Sequence, residues 1–346
     1  MRDASAPALD APALPTAHSR RPGDWPLRWA LRGIAALVVF VLAVAGVGFV
    51  WQTMATELDK RAYPPPGQLV DVGGYRLHLN CVGAGSPTVV LESAFPGTSA
   101  DWGWVQPDVA AVSRVCAYDR AGMAWSDAAS APRDARRIAT DLHVLLERAQ
   151  VAGPYVLTGH SFGGLLVRQY AAQYPAEVAG VVLVEAMHPD QFNRLPPELA
   201  QPDAAQFDVL LPLVHIGLSR VFAPFPTDPA LPTPQRQQIA ALRASTKSMA
   251  AIAGEYKAFP ATLAQVAAAG DLGGTPLVVL TAEQTFPQSG DGNRVWQQLQ
   301  DELAALSSNS RHQHVVGTTH ESLVHREQDA RATSDAISEM IAALRR

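Results

Sequence analysis

The spacing of apolar and polar positions divides the chain into unlike parts. Residues 1–26 are rich in Ala, Pro, Ser and Asp and show no apolar period. Such a segment buries too little surface to offset its ordering entropy, which predicts a flexible tail. From Ile34 to Trp51 no residue is charged. That is close to the roughly 20 apolar residues that cross a bilayer core, and Trp29 and Trp51 stand where interfacial aromatics belong. Pro64, Pro65 and Pro66 then mark a linker. Beyond it, short β-prone runs recur at Leu77–Asn80, Thr88–Ser93, Tyr155–Thr158, Gly180–Val184, Leu277–Thr281 and Gln313–Val316, with helix-compatible stretches between them. The last such stretch runs from about Arg326 to Leu344. The pattern predicts a tail over 1–33, a transmembrane signal anchor over 34–51, a linker over 52–68 and a globular domain over 69–346.

Charge sets the expected orientation of the span. Arg20, Arg21, Arg28 and Arg32 precede it against Asp24 alone, whereas Lys60 and Arg61 after it are offset by Glu57 and Asp59. By the positive-inside rule the tail stays cytoplasmic and everything after Trp51 is exported, to a periplasmic or extracellular side. A cleaved signal peptide is the alternative, since Ala43-Val44-Ala45 fits the small-residue cleavage pattern. Over 346 residues the formal net charge is −5, with 48% hydrophobic and 17% charged residues. That gives none of the concentrated basic surface a nucleic-acid partner needs. Two cysteines exclude a disulfide-rich scaffold and any four-cysteine zinc site.

The densest chemistry lies between Tyr155 and Tyr174. A β-prone run leads into Gly159-His160-Ser161-Phe162-Gly163, and a helical pattern follows as far as Pro175. Gly-x-Ser-x-Gly between a strand and a helix is the setting of a nucleophile elbow, where a sharp turn lifts the serine hydroxyl above the sheet edge. The flanking glycines let strand and helix approach closely. A neutral serine needs a base within hydrogen-bond reach. Among ten histidines, His320 is the best placed, in the loop after the late strand. His325 in the same region is its rival. His160 is expected to point away from the serine, and His143, His188, His312 and His314 read as structural.

With these residues in view, the stretch from about Leu69 to Arg346 resembles the α/β-hydrolase fold family. Cys116-Ala117-Tyr118-Asp119-Arg120-Ala121-Gly122-Met123-Ala124-Trp125-Ser126 is similar to that family's Asp-Arg-x-Gly-x-Gly-x-Ser stretch, departing from it at Ala124. Ser93-Ala94-Phe95-Pro96-Gly97 stands where the family often has His-Gly-x. The resemblance implies a mostly parallel eight-stranded sheet flanked by helices, with a helical cap inserted after the sixth strand at about 188–270. It implies backbone N–H groups of Phe162 and Phe95 as an oxyanion hole. For the acid it leaves a choice. The carboxylate follows the seventh strand in one arrangement, where Glu283 is the early candidate, and ends the sixth in the other, where Glu185 stands at the carboxyl edge of an apolar run. Glu185 is preferred, because a carboxylate there needs a partner such as His320; Asp190 is third. The cap's Leu210, Leu211, Phe222, Phe225 and Tyr256 are expected either to wall the pocket or to form the cap's own core. Cys81 and Cys116 fall on strands that are neighbours in the family's sheet, so a disulfide and two buried thiols are both open. The expected activity is hydrolysis of a carboxylic ester of a small, partly apolar molecule through Ser161. No metal or organic cofactor is called for, and amide, thioester and carbon–carbon bond hydrolysis, or a non-catalytic membrane-tethered binding module, are the alternatives.

Overall fold

The computed structural model describes residues 24–130, 132–199, 204–286 and 288–346; most of the expected tail, residues 1–23, lies outside them. Eight strands form one sheet: β1 (Gln68–Asp71), β2 (Arg76–Val82), β3 (Thr88–Glu92), β4 (Val115–Tyr118), β5 (Tyr155–His160), β6 (Val178–Val184), β7 (Leu277–Gln284) and β8 (Ser310–Thr319). Their order is β1-β2-β4-β3-β5-β6-β7-β8. Only the β1–β2 and β2–β4 pairings are antiparallel. The helices are α1 (Asp24–Ala62), α2 (Val105–Ala110), α3 (Ala135–Arg148), α4 (Phe162–Gln173), α5 (Gln191–Arg194), α6 (Gln206–His215), α7 (Leu218–Phe222), α8 (Thr233–Arg243), α9 (Thr246–Lys257), α10 (Phe259–Ala267), α11 (Gly290–Ala304), α12 (Ser322–His325) and α13 (Glu327–Leu344).

The central strands are mostly apolar because both faces of the sheet are covered. Side chains alternate across it with the two-residue period of a strand. Val90, Leu157, Val181, Leu183 and Val279 pack with Leu142, Leu145, Leu146, Val167 and Tyr170 of α3 and α4. Val89, Leu91, Val156, Val182, Val184, Val278 and Leu280 pack on the opposite face with Val105, Val109, Ile337, Met340 and Ile341 of α2 and α13. A third cluster joins the cap to the domain: Phe207, Met249, Ile252, Tyr256 and Phe259 meet Met123, Phe162 and Leu165.

The first helix differs from the sequence expectation. α1 begins at Asp24 and runs to Ala62 without a break, through the end of the expected tail and most of the expected linker. No proline or glycine interrupts Phe49–Ala62, so nothing stops the helix before Pro64. The chain divides into two compact units at Val47/Gly48, inside this helix. Its Leu27–Ala62 part is long and apolar enough to cross a membrane, and the apolar window is wholly unburied. In the cap, α8 and α9 are separated at Ser245. The residue takes an extended conformation, accepts the Ser248 N–H and caps α9.

Cys81 and Cys116 face each other across the β2–β4 ladder and are joined by a disulfide. They lie 35 residues apart in sequence. Closing a loop of that length stabilises by roughly 3–4 kcal/mol. A Cys81→Ser/Cys116→Ser variant is therefore expected to lose about that much in thermal unfolding, and an unchanged midpoint would refute the estimate.

Candidate active site

The Gly-x-Ser-x-Gly turn places Ser161 at φ 53° and ψ −119°, a strained region that persists only where surrounding bonds enforce it. The Ser161 N–H donates to the Val184 carbonyl at 3.1 Å, and the Ser161 carbonyl accepts the N–H groups of Gly164 and Met187, each at 2.9 Å. The glycines are steric necessities. A Cβ on Gly159 would lie 2.5 Å from the Gly163 carbonyl oxygen, and one on Gly163 would lie 2.3 Å from that of Glu92. Gly164, beyond the motif, is equally constrained, 2.3 Å from Ala186 Cβ.

Three side chains from separate segments form one hydrogen-bonded line. Ser161 Oγ lies 2.9 Å from His320 Nε2, and His320 Nδ1 lies 3.0 Å from Glu185 Oε2. Glu185 follows β6 and is fully buried, with a left-handed φ of 46°. Besides His320, its oxygens accept from the Ala282 N–H at 2.6 Å, Thr285 Oγ1 at 2.8 Å and Trp296 Nε1 at 3.0 Å. Four donors around one carboxylate match its acceptor-only, ionised form. That fixes the His320 proton on Nδ1 and leaves Nε2 to accept from the serine hydroxyl. Burial pulls the His320 pKa down, but the Glu185 hydrogen bond and charge, joined by Glu321, outweigh it and hold it above the ordinary imidazole value.

The other candidates stand elsewhere. Glu283 is exposed and accepts the Gly317 N–H at 2.7 Å. Asp190 sits at the N-cap of α5. His160, expected to point away from the serine, stands beside His320. It lines the cavity, its ring centroid 5.1 Å from that of His320, and its Nε2–H donates to the His320 carbonyl at 3.0 Å. Burial, with His320 and His325 nearby, drives its pKa well below the ordinary value, so it is a neutral anchor for the His320 backbone. Phe222 is 72% exposed and does not line the cavity that holds Ser161. Phe225 and Tyr256 do stand around Phe95, with ring centroids at 6.4 and 5.7 Å. Ala124, where the family usually has glycine, has a φ of 34°, which explains that preference.

His325 is occupied differently from a base. Its Nδ1 lies 3.2 Å from Asp228 of the cap and its Nε2 3.4 Å from Asp101 of the domain. Burial disfavours the charge, but the two aspartates overcome it and raise the pKa to about 9. A cation held between cap and domain stabilises the fold fully below pH 6.5, and that contribution is lost as pH rises through about 9. The melting temperature is expected to fall over this window, and His325→Gln to flatten the fall; an unchanged slope in the variant would overturn the assignment.

Ser161 and His320 open into a cavity of about 460 Å³, lined also by Phe95, Leu231, Ile239 and Arg243. Phe162 opens α4, so its N–H is one of the donors a helix leaves without an internal partner. Away from this cavity, Asp301, His312 and His314 bring three potential metal-ligand atoms within 4.8 Å of one another; they take no part in the site. Sequence reasoning missed Thr285, Trp296 and the His160 anchor, because none belongs to a local motif.

The family model described as alpha/beta hydrolase fold matches residues 87–326, and the chain belongs to that family. Among similar proteins, an uncharacterized protein of Schizosaccharomyces pombe is 29% identical over 198 residues, 48% of this chain and 36% of its own length. An uncharacterized vacuolar membrane protein of Saccharomyces cerevisiae is 28% identical over 191 residues, 46% of this chain and 30% of its own. The chain thus spans about a third of each of these relatives. Among solved structures, the epoxide hydrolase CorEH aligns with a TM-score of 0.60 at 18% identity, covering 80% of this chain and 98% of that one, a likeness of fold alone.

Proposed function

We propose that the protein is a serine hydrolase that cleaves a carboxylic ester through a Ser161 acyl-enzyme. The observation that carries the reading is the unbroken line of hydrogen bonds from Ser161 through His320 to buried Glu185. His320 Nε2 takes the serine proton as Oγ attacks the ester carbonyl, and Glu185 stabilises the imidazolium that forms. The tetrahedral oxyanion is held by the backbone N–H groups of Phe162 and Phe95, each donor contributing about 3–4 kcal/mol. His320 then returns the proton to the leaving alcohol, and water repeats the cycle on the acyl-enzyme. A serine at this position separates the chain from relatives in fold that attack with an aspartate. Neither phenylalanine side chain acts in this scheme, so alanine substitution at 95 or 162 is a poor test of the oxyanion hole.

α1 is proposed to be a membrane anchor, with the tail cytoplasmic and the hydrolase domain exported. The uncharged run, the basic residues before it and a disulfide, a bond that persists in oxidising compartments, support this. The testing experiment is labelling of the full chain in detergent with a fluorophosphonate. Wild type is expected to label and Ser161→Ala not to; a folded wild type that neither labels nor hydrolyses any nitrophenyl ester would remove the proposal.

A further inference from the structure

Outside α1, four large apolar residues among those described are more than 60% exposed: Val209, Val221, Phe222 and Val316. Three of the four lie on α6 and α7, and Ala223 and Pro224 extend the exposed run. This hairpin is fastened to α1 at Gly48 and Trp51, the end of the expected span. A Cβ on Gly48 would lie 2.4 Å from the Ile216 carbonyl oxygen, and one on Gly217 would lie 2.6 Å from the Trp51 ring. Arg220 of α7 donates to Gln52 at 2.7 Å, Asp59 at 2.7 Å and Thr56 at 3.1 Å, which neutralises the hairpin's own cation. Behind α7 lies a second cavity of about 330 Å³, lined by Ser219, Ala223, Phe225 and Met249. It shares Pro226, Thr227 and Arg243 with the cavity that holds Ser161.

We propose that the α6–α7 hairpin rests in the surface of the bilayer that α1 enters, and that the substrate is a membrane-dissolved ester with a long apolar acyl chain, reaching Ser161 by way of the cavity behind α7. The substrate half of this rests on the Ser161 acyl-enzyme reading; the docking half does not. The occupant of the apolar face is lipid because of continuity. Ile216 and Gly217 lie against Gly48 and Trp51, at the end of the expected span, which sets the hairpin at the level where interfacial apolar faces sink roughly 5–10 Å. A lipid-length chain also accounts for two adjoining cavities where a short ester needs one.

The test uses the full chain in phosphatidylcholine vesicles. Both native cysteines are bonded to each other, so a single added thiol can be labelled selectively with an environment-sensitive fluorophore. At Phe222→Cys the label is expected to shift to the blue and to be quenched by nitroxide lipids, whereas at Val316→Cys it is not. Absence of lipid quenching at 222, or protection that depends on protein concentration as a second copy would give, overturns the docking. The second readout compares Val221→Ser/Phe222→Ser with wild type. Hydrolysis of a vesicle-borne palmitoyl ester is expected to fall at least about tenfold, since burial of these two side chains is worth more than the 1.4 kcal/mol that tenfold represents. Hydrolysis of water-soluble nitrophenyl acetate is expected to stay unchanged. An equal fall on both esters, or on neither, overturns the lipid route. Failure of wild type to label or to cleave either ester would instead defeat the Ser161 reading, and with it the substrate half, while fluorophore quenching still decides the docking.

Discussion

Ser161→Ala and His320→Ala are each expected to lower kcat by about five to six orders of magnitude, and the double variant by no more than either alone. In the proposed mechanism serine and histidine act as one unit: a serine hydroxyl without its base attacks no better than water, and the base without the serine has nothing to activate. Glu185→Gln is expected to cost less, about three to four orders, because the amide keeps the shape but no longer enforces the Nδ1–H tautomer or balances the imidazolium. The pH profile separates this role from a merely structural one. On the proposed mechanism neutral His320 is the active form, so kcat/KM is expected to rise with pH through the His320 pKa, which the Glu185 hydrogen bond and charge hold above its ordinary value against burial. In Glu185→Gln those two influences go and burial remains, so the acidic limb is expected to move to lower pH. A limb that stays in place, or a loss below about tenfold, would show that Glu185 serves the fold and not the imidazole.

Much of this site was readable in the sequence because its chemistry is local. The elbow residues are consecutive, and the steric demands at Gly159 and Gly163 are what make the motif recognisable. The apolar strands were legible for a similar reason: burial on both faces leaves few polar positions to blur them. What stayed hidden depends on contacts between distant segments. Trp296 and Thr285 lie 111 and 100 residues from Glu185, and no spacing rule connects them. The bridge through His325 was equally invisible, since Asp101 belongs to the domain and Asp228 to the cap, far apart in sequence. The end of the first helix was misjudged because the reading followed hydropathy, which changes after Trp51, while helix continuity depends on the absence of proline and glycine.

Replacing Arg120 by leucine is expected to destabilise the fold by about 3–5 kcal/mol, the usual effect of removing one partner from a buried ionic network. Arg120 is almost wholly buried and holds four groups at once. It donates to Glu92 at 2.8 Å, to both oxygens of Glu255 on α9 at 2.9 and 3.0 Å, and to the carbonyls of Ser93 and Ala94 at 2.9 and 3.0 Å. Glu255 keeps a second cation, Arg133 at 2.8 Å; Glu92 keeps only the Tyr118 hydroxyl. Burial already raises the Glu92 pKa to about 7, with Arg120 and Tyr118 opposing the rise. A raised carboxylate pKa means the folded state binds protons more tightly than the unfolded one. Its contribution therefore favours folding at low pH and is lost as pH climbs from about 4.5 through about 7. Without Arg120 only Tyr118 opposes the rise, so the damage is expected to be larger at pH 8 than at pH 6, a difference thermal unfolding at the two pH values would reveal. The same guanidinium ties the cap to the loop that presents Phe95. Arg120→Lys, which keeps the charge without the planar fork, is thus expected to recover part of the stability but little of kcat. Equal recovery of both, or a loss under about 1 kcal/mol in Arg120→Leu, would mean that Arg120 does not hold the Phe95 loop in its working position.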